Sequence, residues 1–244
     1  MSTPPDSFDD MGKPHRRGCA TSLRGLTALL RADLYRYAGR VGAGPFWRHY
    51  LFTPGYQYTV LMRTAGYLKT KPLMAVGLYP LAKWLLLRCR YKYGIAIPEY
   101  TVAGPGLFIN RFGGIYINGD AVIGANVNIT HGVMLGQTNR GARAGSPTIG
   151  DRTFLGAGAK IMGGITLGSD SAVGANAVVT KDVPEKGVVG GIPAKLLSQQ
   201  GSDGYINRVV PDALMRACIG AYPGCLSETG APGYSPLKTS PSVA

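Results

Sequence analysis

Residues 117–136 read INGDAVIGANVNITHGVMLG, and residues 149–183 read IGDRTFLGAGAKIMGGITLGSDSAVGANAVVTKDV. In both stretches an aliphatic residue returns at every sixth position. Ten positions keep this step: Ile117, Ile123, Ile129, Leu135, Ile149, Leu155, Ile161, Leu167, Val173 and Val179. A period of six fits neither a helix of 3.6 residues per turn nor the alternation of a simple strand, and it indicates a hexapeptide repeat.

This period predicts a parallel β-helix, because each hexad can supply one short strand and one tight corner. Three hexads then close a triangular coil, whose narrow interior is filled by the aliphatic residue and by a small residue four places later. Glycine follows many of the aliphatic residues and suits corners where φ is positive or two backbones approach closely. A Gly-rich antiparallel sandwich would instead show runs of two-residue alternation. The predicted fold class is mainly β, a β-helix preceded by an α-helical N-terminal region.

The composition divides the 244-residue chain into one main domain with appendages. We predict four segments: a disordered tail (1–20), a basic amphipathic helical region (21–94), the β-helix (95–200) and a C-terminal tail (201–244). Helices are expected from Leu23 up to a break at 42–45, over 58–68, and over 73–93 with a bend at Pro80. A short helix is also expected within residues 211–219.

The net charge of +13 is concentrated in the helical region, where 12 Lys and Arg residues accompany the single acid Asp33. The β-helix segment carries only +2. No nucleic-acid reading motif accompanies the basic residues, so we expect no nucleic-acid partner. An anionic membrane surface is the better match to this charge.

Residues 72–94 leave three interpretations open. Leu73 to Leu87 are largely apolar, are interrupted by Lys83 and are followed by basic residues. The segment can cap the β-helix or another subunit, or it can anchor peripherally to the cytoplasmic face of a membrane, with Trp84, Tyr79 and Tyr91 at the interface. A full span is disfavoured, because crossing needs about 20 apolar residues without such a charge.

Cysteine spacing and the N-terminus favour a cytoplasmic protein. The four cysteines have no disulfide or metal-site spacing, so reduced thiols and no metal are expected: Cys19, Cys89, Cys218 and Cys225. Residues 1–17 are polar and lack the apolar region of a signal peptide.

An eight-residue insertion, drawn from residues 137–148 (QTNRGARAGSPT), interrupts the repeat without changing its phase. Such an insertion is an extruded loop that returns the chain to the same edge. Loops on a rigid scaffold often carry function, and this one holds the basic residues Arg140 and Arg143.

Residues 107–198 resemble the hexapeptide acyltransferases, specifically the serine acetyltransferase branch and, within it, the short exopolysaccharide O-acetyltransferases of the colanic-acid type. The resembling motifs are FGGIYIN (112–118), AVIGANVN (121–128), HGVMLG (131–136), IGDRTFLGAGAKI (149–161), VGANAVVTKDVP (173–184) and GGIPAK (190–195). The resemblance implies a left-handed coil, which is an exception to the usual handedness of parallel crossovers. It also implies acetyl-CoA as co-substrate and a homotrimer with sites between neighbouring prisms.

By the same resemblance, coenzyme A contacts fall on Ala157 and Ala175, where small side chains let the pantetheine arm lie along the coil. Thr180, Lys181 and Lys195 match positions near the phosphate end, and lysine offers a mobile point charge for phosphate. The alternative for both lysines is a solvated surface charge.

His131 is the candidate catalytic base. Acetyl transfer to a hydroxyl needs a group that takes the hydroxyl proton, and histidine titrates near neutrality. Of the three histidines, His15 lies in the tail and His49 in the helical region, while His131 lies in the β-helix, beside the extruded loop, and should face outward. A surface histidine without a role is the alternative.

The sequence departs from the serine enzymes at four positions. Their Asp-His pair falls on Asn110 and Arg111, an upstream acid falls on Ala96, and a second His falls on Ser146. Arginine cannot act as a base near neutrality. We therefore expect Asn110, Arg111 and Arg140 to bind a substrate that needs no carboxylate partner, such as a neutral or acidic sugar or a lipid-linked pyrophosphate.

The family resemblance and these departures from it together predict an acetyl-CoA-dependent O-acetyltransferase that acts by direct transfer on a sugar unit in surface-polysaccharide biosynthesis. Serine O-acetyltransfer for cysteine synthesis and an inactive trimeric scaffold of a glycan assembly remain as alternatives. Metal-dependent hydrolysis of the carbonic-anhydrase type is disfavoured, because it needs three histidines on adjacent coils and the prism contains one.

Overall fold

The computed structural model describes residues 18–221, which form helices around one end of a β-helix. The helices are α1 (Leu23–Ala38), α2 (Ala43–Phe52), α3 (Pro54–Lys69), α4 (Pro72–Tyr93) and α5 (Asp212–Ala217). Three predicted helices and the short one in 211–219 are therefore present. Helix α2 was not predicted, because Pro45 was taken as a helix break. Pro45 lies in the first turn of α2, where the missing backbone N–H is tolerated.

The strands between α4 and α5 are two to four residues long and form three parallel faces. They are β1 (Ile95–Ala96), β2 (Val102–Ala103), β3 (Phe108–Ile109), β4 (Ile115–Ile117), β5 (Val122–Ile123), β6 (Asn128–Ile129), β7 (Met134–Gly136), β8 (Thr148–Ile149), β9 (Phe154–Leu155), β10 (Lys160–Met162), β11 (Thr166–Leu167), β12 (Ala172–Val173), β13 (Val178–Val179), β14 (Val188–Gly190) and β15 (Lys195–Ser198). The first face has the order β1-β4-β7-β10-β13, the second β2-β5-β8-β11, and the third β3-β6-β9-β12-β14-β15. Only β15 runs antiparallel to its neighbour.

Strand register confirms that three hexads close one coil. Thr148 pairs with Thr166, eighteen residues later. The first coil is longer, since Ile95 pairs with Ile115, and the coil with the insertion is longer still, since Val122 pairs with Thr148. All ten hexad positions are at most 2% exposed, and so the repeat fills the interior as predicted.

A buried ion pair joins the helical region to the β-helix. The Arg63 guanidinium of α3 donates to both carboxylate oxygens of Asp33 in α1, at 2.6 and 3.0 Å. The N–H groups of Gly106 and Leu107 donate to Asp33 Oδ1 at 3.0 Å, and Arg63 also donates to the carbonyl of Gly104 at 2.8 Å. The single acid of the helical region thus fixes two helices against one turn of the prism.

Helix α4 packs on α3 and β1 through one side only. Ala82 and Leu86 are buried there, and Lys83 pairs with the buried Glu99 at 2.6 Å. Tyr79 also faces inward and donates its hydroxyl to Glu99 at 2.9 Å, so it is not available at an interface as predicted. Burial alone would raise the pKa of Glu99, but the hydrogen bond from Lys83 and its charge hold the pKa below the usual value. Among residues 18–221, no helix is long and apolar enough to cross a membrane.

Parts of both predicted tails are packed against the rest of the protein. Within the predicted disordered segment, Cys19 and Ala20 are buried, and Gly18 donates to the Tyr100 carbonyl at 3.0 Å; residues 1–17, with His15, lie outside the described part. Within the predicted C-terminal tail, residues 201–221 pack on the prism and on α1, with Val210 and Met215 buried. Residues 222–244 are not described. Buried apolar side chains from outside the hexapeptide repeat therefore pack against the prism and α1.

Asp33→Ala should lower the free energy of unfolding by about 3–5 kcal/mol, because it leaves the Arg63 guanidinium buried without its partner. Urea denaturation followed by circular dichroism measures this. The control is Asp203→Ala, which removes an exposed carboxylate and should change stability by less than about 0.5 kcal/mol. Equal effects of the two variants would contradict the structural role of Asp33.

A second buried carboxylate, Asp151, makes stability depend on pH. Its Oδ1 accepts the Ala125 N–H at 2.7 Å, whereas Oδ2 has no partner within residues 18–221. Burial raises the pKa of Asp151 to about 6, above the value near 4 of an unfolded chain. Because the folded state binds this proton more tightly than the unfolded state does, the free energy of unfolding falls as pH rises from about 4 through 6 and the carboxyl group ionises.

Asp151→Asn should therefore stabilise the protein at pH 7.5, by on the order of 2 kcal/mol, and the gain should vanish near pH 4. Thermal unfolding of wild type and variant across this pH range tests the sign. Asp203→Asn, at an exposed carboxylate, is the control and should give parallel curves. A gain that grows towards low pH would contradict the assignment.

Candidate active site

The corners between the third and first faces stack into one edge of the prism, here called the His131 edge. The Gly158 N–H donates to the His131 carbonyl at 2.9 Å, and the Asn176 N–H donates to the Ala157 carbonyl at 2.7 Å. One residue per coil therefore occupies equivalent places along the edge. In chain order these are His131, Ala157 and Ala175.

The two places below His131 on this edge carry alanine side chains. Gly132 and Gly158 have positive φ, and a Cβ on Gly132 would meet the Gly158 backbone at 3.1 Å. Ala157 is half-buried and Ala175 is exposed, so neither projects a bulky group outward. The result is a shallow track that runs along the coil axis and ends at an imidazole.

His131 itself is exposed, as predicted, and no side chain within residues 18–221 hydrogen-bonds its ring. The next coil holds the turn at His131, because the Gly158 N–H donates to the His131 carbonyl at 2.9 Å and the Lys160 ammonium donates to the Gly132 carbonyl at 2.5 Å. Lys160 was not singled out from the sequence, since an outward residue on a short strand carries no periodic signal. It fixes the turn and places a positive charge one coil away from the imidazole.

Asn110 and Arg111 lie at the same edge. Ile109 pairs with Ile129 and Tyr116 with Met134, so this corner, residues 110–115, is two residues longer than the corner 130–133 that carries His131. Gly113, whose carbonyl accepts the Gly132 N–H at 2.8 Å, takes the place that His131 takes in the next coil. Both side chains are exposed. The segments of the four coils that form this edge contain no Asp or Glu: 110–114, 130–132, 156–158 and 174–176.

The remaining predicted site residues lie elsewhere in the chain. Arg140 is exposed on the extruded loop, which leaves the prism after β7, whereas His131 precedes β7. The expectation that His131 lies beside this loop is therefore wrong within one chain. Thr180 and Lys181 follow β13 on the same edge as the loop, here called the loop edge, and Lys195 begins β15. Because every third hexad returns to the same corner, counting hexads assigns His131, Ala157 and Ala175 to one edge and Arg140, Thr180 and Lys181 to another.

The extruded loop is folded against the prism. Thr138 and Gly145 exchange two backbone hydrogen bonds, at 3.0 and 2.8 Å. Ser146, which stands where the serine enzymes have a second histidine, donates to Asn118 Oδ1 at 3.1 Å, and Asn118 donates to Gln137 at 3.3 Å. The loop edge therefore presents amide and hydroxyl groups where the resemblance led us to look for an imidazole.

A cavity of about 390 Å³ opens on the third face, next to the His131 edge. Phe154 stacks on Tyr205 at 4.6 Å between ring centroids, and Asn110 lies at the rim. Buried Arg36 reaches the cavity through Asn128, at 2.5 Å. Sequence reasoning missed this cavity because residues 201–208, which cover it, follow no repeat.

Comparison with known proteins shows which family this chain resembles. The family described as hexapeptide repeat of succinyl-transferase matches residues 148–181. The serine acetyltransferase of Mycobacterium tuberculosis is 43% identical over 110 residues, 45% of this chain and 48% of that protein. The serine acetyltransferase of Helicobacter pylori strain J99 is 36% identical over 153 residues, 63% of this chain and 86% of that protein. This chain belongs to the serine acetyltransferase family.

The similarity to serine acetyltransferases also holds for the three-dimensional fold. The crystal structure of the Brucella abortus serine acetyltransferase in complex with coenzyme A is 31% identical, with a TM-score of 0.60 over 72% of this chain and 68% of that chain. The hexapeptide-repeat acyltransferase resemblance and its left-handed coil are thereby confirmed. The relatives are named serine acetyltransferases, so the expected closeness to exopolysaccharide enzymes has no support from them. The chain spans about half the length of the M. tuberculosis relative.

Proposed function

We propose that this protein transfers the acetyl group of acetyl-CoA to a hydroxyl group. The observation that carries the proposal is the stacking of His131, Ala157 and Ala175 along one edge of the prism. Two small side chains leave room for an extended pantetheine arm, and the exposed imidazole stands where the thioester would end. The B. abortus relative with coenzyme A bound supports the same co-substrate.

His131 is the base of the proposed reaction. It accepts the proton of the acceptor hydroxyl as the oxygen forms its bond to the acetyl carbonyl carbon. The carbon–sulfur bond then breaks, and the imidazolium returns the proton to the leaving thiolate, so that the acetylated acceptor and the free thiol are released. The Lys160 ammonium contributes positive charge near the carbonyl oxygen while it holds the 131–132 turn in place.

A homotrimer completes the site in this proposal. Thr180, Lys181 and Arg140 lie on the loop edge, away from the His131 edge of the same chain. A neighbouring prism that packs its loop edge against the His131 edge would bring both groups to one acetyl-CoA molecule. Lysine ammonium groups would then face the phosphate end of the coenzyme. We further place the protein in the cytoplasm, where acetyl-CoA is available to it.

L-Serine is the acceptor that the relatives favour, since the M. tuberculosis and H. pylori proteins are both named serine acetyltransferase. This revises the preference for a sugar that the sequence alone suggested. In this proposal Asn110 hydrogen-bonds the amino acid, and Arg111 pairs with its carboxylate. The absence of Asp and Glu from the His131 edge segments leaves the substrate ammonium group to the neighbouring chain.

A sugar hydroxyl is the second candidate acceptor, and the third-face cavity favours it. Stacked Phe154 and Tyr205 offer an aromatic wall, and Asn110 at the rim offers an amide that can bind hydroxyl groups. Neither requires a carboxylate in the site. An inactive scaffold is the third possibility, because Arg111 replaces a base of the serine enzymes.

A coenzyme A release assay separates these possibilities. Purified full-length protein is incubated with acetyl-CoA and with L-serine, a set of neutral and acidic monosaccharides, or buffer alone, and free thiol is measured. Release with serine supports the first acceptor, and release only with sugars supports the second. No release with any acceptor above the buffer control contradicts the enzymatic proposal.

His131→Asn should lower kcat by about 10²–10⁴-fold, because the variant keeps the hydrogen-bonding shape of the side chain but has no base. Calorimetry should show unchanged coenzyme A affinity. Ala175→Phe is the matched variant with the opposite expectation: its phenyl ring blocks the track, so coenzyme A binding is lost. A His131→Asn enzyme with full turnover would show that the base is another group.

Arg111→His, alone and with Asn110→Asp, should lower kcat/KM for L-serine by about tenfold or more, because it removes the guanidinium that pairs with the serine carboxylate in this proposal. The measurement is kcat/KM for serine against kcat/KM for the preferred sugar. Thermal unfolding of the same variants serves as the folding control. Unchanged or higher turnover with serine would contradict the pairing of Arg111 with the serine carboxylate.

A further inference from the structure

Helix α4 exposes an apolar surface that nothing within residues 18–221 covers. Leu73 is 91% exposed and Val76 is 85% exposed. The outer face of α4 is defined by the exposed apolar side chains on the side away from α3: Leu73, Met74, Val76, Leu78, Leu81, Trp84, Leu85 and Tyr91. Large apolar patches of this kind mark interaction surfaces in soluble proteins.

No charge interrupts the first three turns of this face. Lys83, the one charge in the apolar run of the sequence, points inward to Glu99 at 2.6 Å. The first charged groups on the outer face are Arg88 and Lys92 near the C-terminal end of the helix, where the Arg88 guanidinium lies 5.1 Å from the Trp84 ring centroid. An apolar surface with a cationic and aromatic end is therefore built by the helix as folded.

The surroundings of the outer face are cationic as well. Residues 34–98 contain ten Lys and Arg residues and no Asp or Glu. The next acid, Glu99, is buried and lies within 4 Å of both Lys69 and Lys83. This part of the chain therefore carries an excess of positive charge, and the natural counterpart of that charge is a negatively charged surface.

We propose that the outer face of α4 binds the surface of an anionic phospholipid bilayer. The helix lies in the plane of the interface, with Leu73, Val76 and Leu81 entering the acyl boundary and Arg88 and Lys92 pairing with lipid phosphates. Helix α4 is not long and apolar enough to span, so the contact is peripheral. The proposal does not depend on the acetyl acceptor or on catalysis.

Charge distinguishes a bilayer from a second copy of this chain as the occupant. Two α4 faces packed together would bring two surfaces without acids close to one another, and both would carry Arg88 and Lys92. Like charges within an interface oppose association, whereas anionic headgroups attract each of them. Trp84 and Tyr91 also belong to the side chains that favour the interface between water and lipid.

Vesicle flotation tests the proposal with the full chain. Binding to phosphatidylcholine vesicles with 30% phosphatidylglycerol, about one anionic lipid in three, is compared with binding to pure phosphatidylcholine. We expect binding to the anionic vesicles only, with a loss as salt is raised. Val76→Asp with Leu81→Asp should abolish it. Ile192→Asp with Leu197→Asp, a matched change of exposed apolar residues in the segment after the repeat, should leave it intact.

Arg88→Gln with Lys92→Gln tests the headgroup contact separately and leaves the apolar face unchanged. Each lost charge should lower the partition coefficient by roughly fivefold, on the order of 25-fold for the pair. Arg24→Gln with Arg31→Gln removes the same net charge from exposed positions of α1 and is the control. Circular dichroism and melting curves show that each variant is folded, and the Gln pair keeps the test decisive if the Asp pair does not fold.

Two outcomes would overturn the proposal. Equal effects of the α1 and α4 charge variants would show attraction by net charge without a docked face. A wild-type protein that floats with neither vesicle, but whose oligomer size in sedimentation falls on Val76→Asp with Leu81→Asp, would assign the outer face to a second copy. Catalytic activity enters neither result, so failure of the acetyltransfer proposal is recognised independently in the thiol assay.

Discussion

The narrow interior of the prism is the constraint on which the rest of the structure depends. Each coil admits one aliphatic side chain per face and a small one at the corner, and the ten hexad positions satisfy this without exception. Because every coil must present the same cross-section, backbone hydrogen bonds stack equivalent residues directly above one another. The stacked edges are a consequence of that packing, and the track that ends at His131 is one of them.

The helical region is attached to this scaffold by few but buried polar contacts. Asp33 accepts four hydrogen bonds from Arg63, Gly106 and Leu107, and Arg36 donates to the Gly106 carbonyl at 2.9 Å. Buried charges require such complete pairing, because an unpaired one would be strongly destabilising. The one acid of the helical region is therefore buried in an ion pair, and most of the region's basic side chains remain at the surface. In the same way, the buried carboxylate of Glu99 pairs with Lys83, and the opposite side of α4 is left apolar.

The parts of the structure that follow the period of six could be predicted, and the parts that depend on non-repeating contacts could not. The strands, the inward residues and the phase-preserving loop follow from the spacing. Ala157 and Ala175, taken from the family resemblance, stack in line with His131, which was chosen for its chemistry and its place in the repeat. Counting hexads in threes would also have separated Thr180 and Arg140 from His131. Helix α2 was missed because Pro45 was taken as a helix breaker, although it is compatible with a first turn. Lys160 and Tyr205 act through contacts between coils or with the C-terminal segment, for which local sequence carries no signal. The acceptor was revised by the names of relatives, since hydroxyl-bearing molecules share the same reacting group.

The extruded loop shows that the scaffold and its decoration are separable. Residues 137–148 lengthen one coil, and the next strand, β8, still pairs in register with β5 and β11. Insertions at this corner are therefore thermodynamically inexpensive, and selection can alter the loop's length and composition without rebuilding the interior. Descendants of one ancestral prism could in this way acquire different molecular recognition while inheriting an unchanged edge at His131.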